Sequence, residues 1–138
     1  MPVLPPIVET VYLKATASEI WPYLATPEGL NKWFMPNDFI AQEGHEFTLQ
    51  SPFGPAHCKV QKVIEHQFIS FSWDVDGWFI TLELKELKDN TAIIVTHDGW
   101  PDSATVISLA QLPAGVIHEK MVADWQEIVQ NKLPNSMK

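Results

Sequence analysis

The 138-residue sequence holds one cysteine, Cys58, so it has neither an intramolecular disulfide nor a thiolate metal cluster. A reducing compartment is compatible with that usage. Basic residues are also scarce. Nine Lys and Arg stand against seventeen Asp and Glu, a formal charge of -8, and no Lys/Arg cluster exists that could track a phosphate backbone. Nucleic-acid binding is thereby disfavoured, and an acidic surface gives no attraction to anionic lipid. No apolar run approaches the ~20 residues that span a bilayer. The start, Met1 to Pro6, lacks the basic region and continuous apolar core of a secretory leader, so a cytoplasmic location is expected. The five histidines, His45, His57, His66, His97 and His118, show no close ligand spacing, and neither a G-x-S-x-G elbow nor a phosphate-cradling glycine loop is present. No metal and no other cofactor is expected.

What is present is an ordinary globular balance, 46% apolar and 19% charged residues, with no repeats, linkers or low-complexity tracts. Residues 1–138 therefore read as one domain able to bury a real core. The stretch around which the rest is organised is Ala114 to Leu133, the one long segment with sustained helical period. Ile117, Met121, Trp125 and Ile128 recur every three or four residues, Val122, Val129 and Leu133 widen the stripe, and Pro134 is expected to stop the helix. A stripe that wide needs a partner surface.

The segments upstream supply one. Ile7 to Leu13 reads as a first strand. Thr16 or Ser18 caps a short helix over Glu19 to Ala25, with Pro22 placed in its first turn, and Thr26 caps a second over Pro27 to Trp33. Phe39 to Ala41 is expected as a short edge strand, followed by Glu46 to Gln50. The loop Ser51 to Pro55 leads to a long strand, His57 to Glu65, with a bulge near Val63-Ile64. Phe68 to Asp74 and Trp78 to Leu87 alternate clearly around an Asp76-Gly77 hairpin turn, and Thr91 to His97 closes the sheet. Asp98 to Leu112 reads as irregular, with room for a short strand. Antiparallel hairpins plus one dominant amphipathic helix give an α+β fold, the sheet packing one face on the helix and turning the other to water.

That order resembles the START-like helix-grip (SRPBCC) superfamily, and more narrowly the group named after the activator of heat-shock-protein-90 ATPase, which is also related to polyketide cyclases. The carriers are Ala17-Ser-Glu-Ile-Trp21 with Leu24-Ala-Thr-Pro-Glu-Gly-Leu-Asn-Lys-Trp-Phe34, the segment Gly44 to Leu49, Phe68-Ile-Ser-Phe-Ser-Trp73, and Thr91 to His97. The resemblance implies a curved antiparallel sheet gripping a long C-terminal helix, with two short helices after the first strand. It also implies an apolar cavity between sheet and helix that takes lipids, polyketides or other small hydrophobic molecules. Catalytic members of the superfamily place their acid–base groups differently from one another, so no catalytic motif carries over. A homodimer and a chaperone contact are further associations the resemblance admits. The activator itself resembles the chain only in its C-terminal domain, which ranks chaperone work below ligand binding.

Six tryptophans suit both a core and a pocket, because aromatic rings give large apolar contact at little rotamer cost. Trp21 and Trp33 are assigned to the core. The expected ligand pocket is lined by Phe39, Phe53, Trp73, Trp78, Trp100, Met121 and Trp125, with His97 as its polar contact and the Pro52–Pro55 loop or the Pro36–Phe39 segment as its gate. His97 is also the candidate general base of the enzymatic alternative, a cyclase or hydrolase in the same cavity. Asp98 can orient it only if the strand ends first, since neighbours on a strand face opposite ways. The same geometry argues against a dyad of His57 and Cys58, and Cys58 reads as a small buried residue. Asp74 and Asp76 read as turn-shaping carboxylates.

Overall fold

The structure is a computed structural model that describes residues 3–51, 53–74 and 77–137. Asp76, with the expected Asp76-Gly77 turn and the Asp74/Asp76 pair, and Pro52 of the loop therefore lie outside the described residues, as do Met1 and Pro2. Strand β1 (Ile7–Leu13) leads into helices α1 (Ala17–Ala25) and α2 (Pro27–Trp33), followed by β2 (Glu46–Ser51), β3 (Gly54–Ile64), β4 (Phe68–Trp73), β5 (Trp78–Glu86) and β6 (Thr91–Asp98). A two-stranded ribbon, β7 (Val106–Ile107) and β8 (Leu112–Pro113), precedes helix α3 (Ala114–Glu127). The six long strands form one antiparallel sheet in the order β1-β6-β5-β4-β3-β2, and the sheet curves around the C-terminal helix. This is the expected α+β helix-grip fold. No helix among the described residues is long and apolar enough to cross a membrane.

Period-two alternation decides which side chains the sheet presents to the helix. Register brings Phe47, Cys58, Trp73 and Trp78 into one row across β2 to β5, and Val60, Phe71, Ile80, His97 and Ile7 into the next across β3 to β1. All nine are buried. The bulge in β3 falls at Gln61 rather than at Val63-Ile64. There it aims the Gln61 amide oxygen at the Ser70 hydroxyl, which donates to it at 2.7 Å. The shift in parity beyond the bulge is what turns Val63 partly inward.

Four local expectations are corrected. Thr16 is the N-cap of α1, in a reciprocal capping box with Glu19, so Pro22 is inside the helix and not in its first turn. Both Pro22 and Ser18, whose carbonyl it leaves without an amide partner, are on the exposed side, where water can serve. The expected edge strand Phe39 to Ala41 is reduced to a bridge between Asn37 and Leu49, because the side chains of Asn37 and Asp38 take the Phe39 and Thr48 amides at 3.0 and 2.7 Å. Side-chain oxygens there replace a strand ladder.

The other two corrections concern the long helix. After Ala114 at its start, its buried residues are Ile117, Met121, Trp125, Val129 and Leu133, spaced by four, while Val122 is exposed and Ile128 is half-buried. In an α-helix every fourth residue drifts by about 40° around the axis, so such a stripe would wander off the sheet. A π turn over Ile128–Lys132 takes up the drift. In that turn the Leu133 amide donates to the Ile128 carbonyl, five residues back. It also lets the chain pass through Pro134 into a last turn, α4 (Leu133–Ser136). Pro134 was expected to end the helix, but the wider turn accommodates it.

Candidate functional site

The site begins where α2 ends. Thr26 caps α2 by accepting from the Gly29 amide at 3.0 Å, and Gly29 is there because a Cβ would come within 2.1 Å of the Pro22 carbonyl oxygen of α1. The helix closes with the Phe34 amide donating to the Leu30 carbonyl at 2.7 Å. The next residues are stitched to β2: the Gln50 amide donates to Pro36 at 2.9 Å, and the Asn37 side-chain amide to Met35 at 2.7 Å. Held this way, the Phe34 ring stacks on Trp125 of α3 (centroids 5.3 Å, interplanar 19°) and meets Trp73 edge-on at 6.1 Å.

Between this segment, the end of β2 and the face of α3 lies a cleft of about 440 Å³. Its walls include Phe34, Met35, Trp73, Met121, Trp125 and Ile128, while Lys120, Asp124, Glu127 and Lys132 bring charge to it. Lys120 and Asp124, one turn apart on α3, are paired. The Lys120 ammonium also lies 5.8 Å from the centre of the Phe53 ring. A volume of this size is within the range of small-molecule sites.

Behind the cleft the sheet contributes an aromatic cluster centred on His97, which has no solvent exposure. Its imidazole stacks on Trp73 (5.3 Å, 18°) and is bordered by Trp78 at 4.8 Å, Trp100 at 4.6 Å and Trp125 at 6.0 Å. Trp125 donates its indole N–H to His97 Nδ1 at 3.0 Å, and Trp100 donates to the His97 backbone carbonyl at 3.0 Å. An indole only donates, so Nδ1 must be the bare nitrogen, and the neutral ring carries its hydrogen on Nε2. Burial, with a smaller contribution from the charge of His118, pushes the imidazole pKa down to about 3.

Among the described residues, His97 Nε2, Trp73 Nε1 and Trp78 Nε1 are buried and find no hydrogen-bond partner. Leaving a buried donor unpaired costs about 1–3 kcal/mol. The other buried indoles are served: besides Trp100 and Trp125, Trp33 donates to the Tyr23 carbonyl at 2.7 Å.

The pocket residues named from sequence therefore separate into groups. Trp73, Met121 and Trp125 line the cleft. Phe53 is half-buried beside Lys120. Trp78, His97 and Trp100 form the cluster behind, and Phe39 sits apart in a trio with Phe47 and Phe71 (5.1 and 6.3 Å). Asp98 is still within β6, with its side chain turned away from His97. Trp33 is core as assigned. Trp21 is only half-buried, edge-on to His66 at 5.9 Å. His57 is exposed and faces Glu46 at 2.7 Å, whereas Cys58 is fully buried with its thiol pushed up to about 12 by desolvation. No thiolate dyad can form there. Among the described residues no group of His, Cys, Asp and Glu is placed to hold a metal ion.

Sequence reasoning missed Phe34 as a wall of the cleft. The available signal was the pair Trp33-Phe34 at a helix end. Two large aromatic residues in succession cannot both enter the same core face, so one must look elsewhere.

The sequence profile described as "Activator of Hsp90 ATPase homolog 1-like protein" matches residues 14–135. The solution structure of Bacillus halodurans protein BH1534 is similar over 100% of both chains, with 39% identity and a TM-score of 0.90. The chain also resembles DynU16, a protein in the dynemicin biosynthetic locus, at 16% identity and a TM-score of 0.74, covering 94% of this chain and 46% of that one. A third likeness is to the Aha1 dimer of Colwellia psychrerythraea, at 17% identity and a TM-score of 0.64 over 95% and 98% of the two chains. The latter two show the fold alone. No curated protein matches the sequence.

Proposed function

The chain belongs to the family of Activator of Hsp90 ATPase homolog 1-like proteins, and from that premise we propose that it is a binding protein for a small hydrophobic ligand held in the cleft between Phe34 and α3. Membership supports a ligand-binding or polyketide-cyclase-like role at the coarse level. The observation that carries the finer reading is the construction of the cleft, in which Phe34 stacks on Trp125 at 5.3 Å and meets Trp73 edge-on at 6.1 Å, all three rings lining a cleft with a charged rim. Rings stacked loosely at an opening can part to admit a flat apolar molecule and replace their mutual contacts with contacts to it. Phe34 and Met35 sit on the short segment between α2 and β2, so this segment is the gate in our reading.

The enzymatic alternative fares less well on chemistry. A general base needs a free lone pair and a pKa near the working pH. His97 has its Nδ1 lone pair occupied by Trp125, its Nε2 protonated, and a pKa of about 3. In our reading it is a positioning group and not a catalyst.

Native mass spectrometry of the protein as purified from cells, with extraction of anything bound, tests the proposal. A stoichiometric hydrophobic molecule supports it and names the ligand class. A protein that is empty, and that also fails to bind any of a panel of flat aromatic and acyl-chain compounds, contradicts it.

A further inference from the structure

The polar atoms of the aromatic cluster are unbalanced in one direction. Three rings, Trp73, Trp78 and His97, are in mutual contact at 4.8 to 5.8 Å, each is at least 97% buried, and each carries a nitrogen without a partner among the described residues. Two of these nitrogens are indoles, which can only donate. The third is His97 Nε2, which the Trp125 hydrogen bond on Nδ1 fixes as a donor too. The acceptors that the same cluster offers, His97 Nδ1 and the His97 carbonyl, are already taken by Trp125 and Trp100. What remains is a set of N–H groups with nothing to give to, and Trp73, one of the three, is also a wall of the cleft.

We infer that the ligand of this protein is an uncharged, largely aromatic molecule bearing a bare acceptor oxygen, a ketone or quinone carbonyl, which is received by the Trp73 N–H, the unpartnered donor of the three whose ring lines the cleft. The inference rests on the reading that the cleft holds an apolar molecule, and adds which polar group that molecule must show. Buried donors are paired in folded proteins, and a site built to hydrogen-bond a substrate oxygen discriminates strongly against the analogue that lacks it. A hydroxyl in the same place is a poorer match than a carbonyl, because its own hydrogen would need an acceptor and both local acceptors are occupied. A carboxylate is poorer still, since the three donors are neutral groups and a buried charge needs a charged partner.

Three probes of nearly one shape, fluorene, 9-fluorenone and 9-fluorenol, isolate the oxygen. Their affinities for the full chain, stripped of any co-purified ligand, are measured alongside the indole N–H signals of 15N-labelled protein, assigned through Trp→Phe variants. The inference expects 9-fluorenone to bind at least ten-fold more tightly than fluorene, with 9-fluorenol between them, and the Trp73 indole proton to move downfield with the ketone and not with the hydrocarbon. In Trp73→Phe, which keeps a ring and removes the N–H, the ratio of ketone to fluorene affinity falls to within about two-fold, whatever the smaller ring does to fluorene affinity itself. Equal affinity for fluorene and 9-fluorenone, with the indole signals unmoved, overturns the inference and leaves the apolar cleft standing. Failure of all three to bind overturns the inference, and with a protein that is empty as purified and fails the wider panel it overturns the cleft reading as well. Indole protons already downfield in ligand-free protein, with cross-relaxation to a long-lived water, overturn the inference as well, because the donors are then satisfied by solvent.

Discussion

Acidification from pH 7 to pH 5 should cost the folded state about 2 kcal/mol through His97 alone. The folded protein holds this imidazole neutral down to a pKa of about 3, against the ordinary 6.5. The unfolded chain, with His97 in water, protonates near the ordinary value. Between those two pKa values the unfolded state binds more protons, so stability rises with pH across that window and falls as the pH drops. The contribution is intact above pH 6.5 and is lost progressively toward pH 3. Each pH unit well inside the window is worth about 1.4 kcal/mol. Chemical denaturation of the wild type and of His97→Phe at pH 7, 6 and 5 isolates the effect, because groups common to both proteins cancel in the difference of slopes. Ring-proton titration of His97 by NMR gives the same pKa directly. Parallel slopes for the two proteins, or a His97 midpoint near 6.5 in the folded state, would refute the argument that the tryptophan cluster keeps the ring dry and neutral.

Three further substitutions test other parts of the account. Gly29→Ala should destabilise by about 3 kcal/mol or more, since its Cβ would meet backbone atoms Pro22 O and Tyr23 Cα at 2.1 and 2.6 Å; thermal melting reads the loss, and a change below ~1 kcal/mol would show that α1 and α2 part easily. Thr16→Ala removes the acceptor for the Glu19 amide and should cost about 1 kcal/mol in denaturant titrations without changing the far-UV spectrum. Phe34→Ala takes away the stacking partner of Trp125 and should speed both association and dissociation of a flat ligand in stopped-flow Trp fluorescence. Unchanged rates would remove Phe34 from the gate.

Much of the fold was legible because period-two and period-four patterns are strong along β4, β5 and β6 and along α3. Ile69, Phe71 and Trp73, and Ile80, Leu82 and Leu84, point inward as their alternation requires. What stayed hidden depends on turns, not on pattern. The π turn that carries the helix past Pro134 has no local sequence mark, because it answers a drift that only the curved sheet imposes. Asn37 and Asp38 replaced a strand by side-chain caps, and that substitution moved Phe39 into the core. The site was legible in part. Helix face and strand parity turn Trp73, Met121 and Trp125 inward, and the resemblance supplied the expectation of a cavity there, whereas Phe34 was hidden at a helix end. The unpaired donors could not be found at all, since which indole meets a carbonyl is a matter of three-dimensional packing. Trp100 and Trp73 are alike in sequence, yet only one has a partner.

The central claim is that the cleft under Phe34 is where a ligand sits. Titration of isotopically labelled protein with whichever fluorene probe binds tests it most directly, read as shifts of backbone amides and methionine methyls. The account predicts changes concentrated at Phe34, Met35, Ser51, Met121, Trp125 and Ile128, the residues that line the cleft. Shifts confined to the outer face of the sheet, at Val8, Thr81 or Thr96, with Met121 and Trp125 unaffected at saturation, would contradict it.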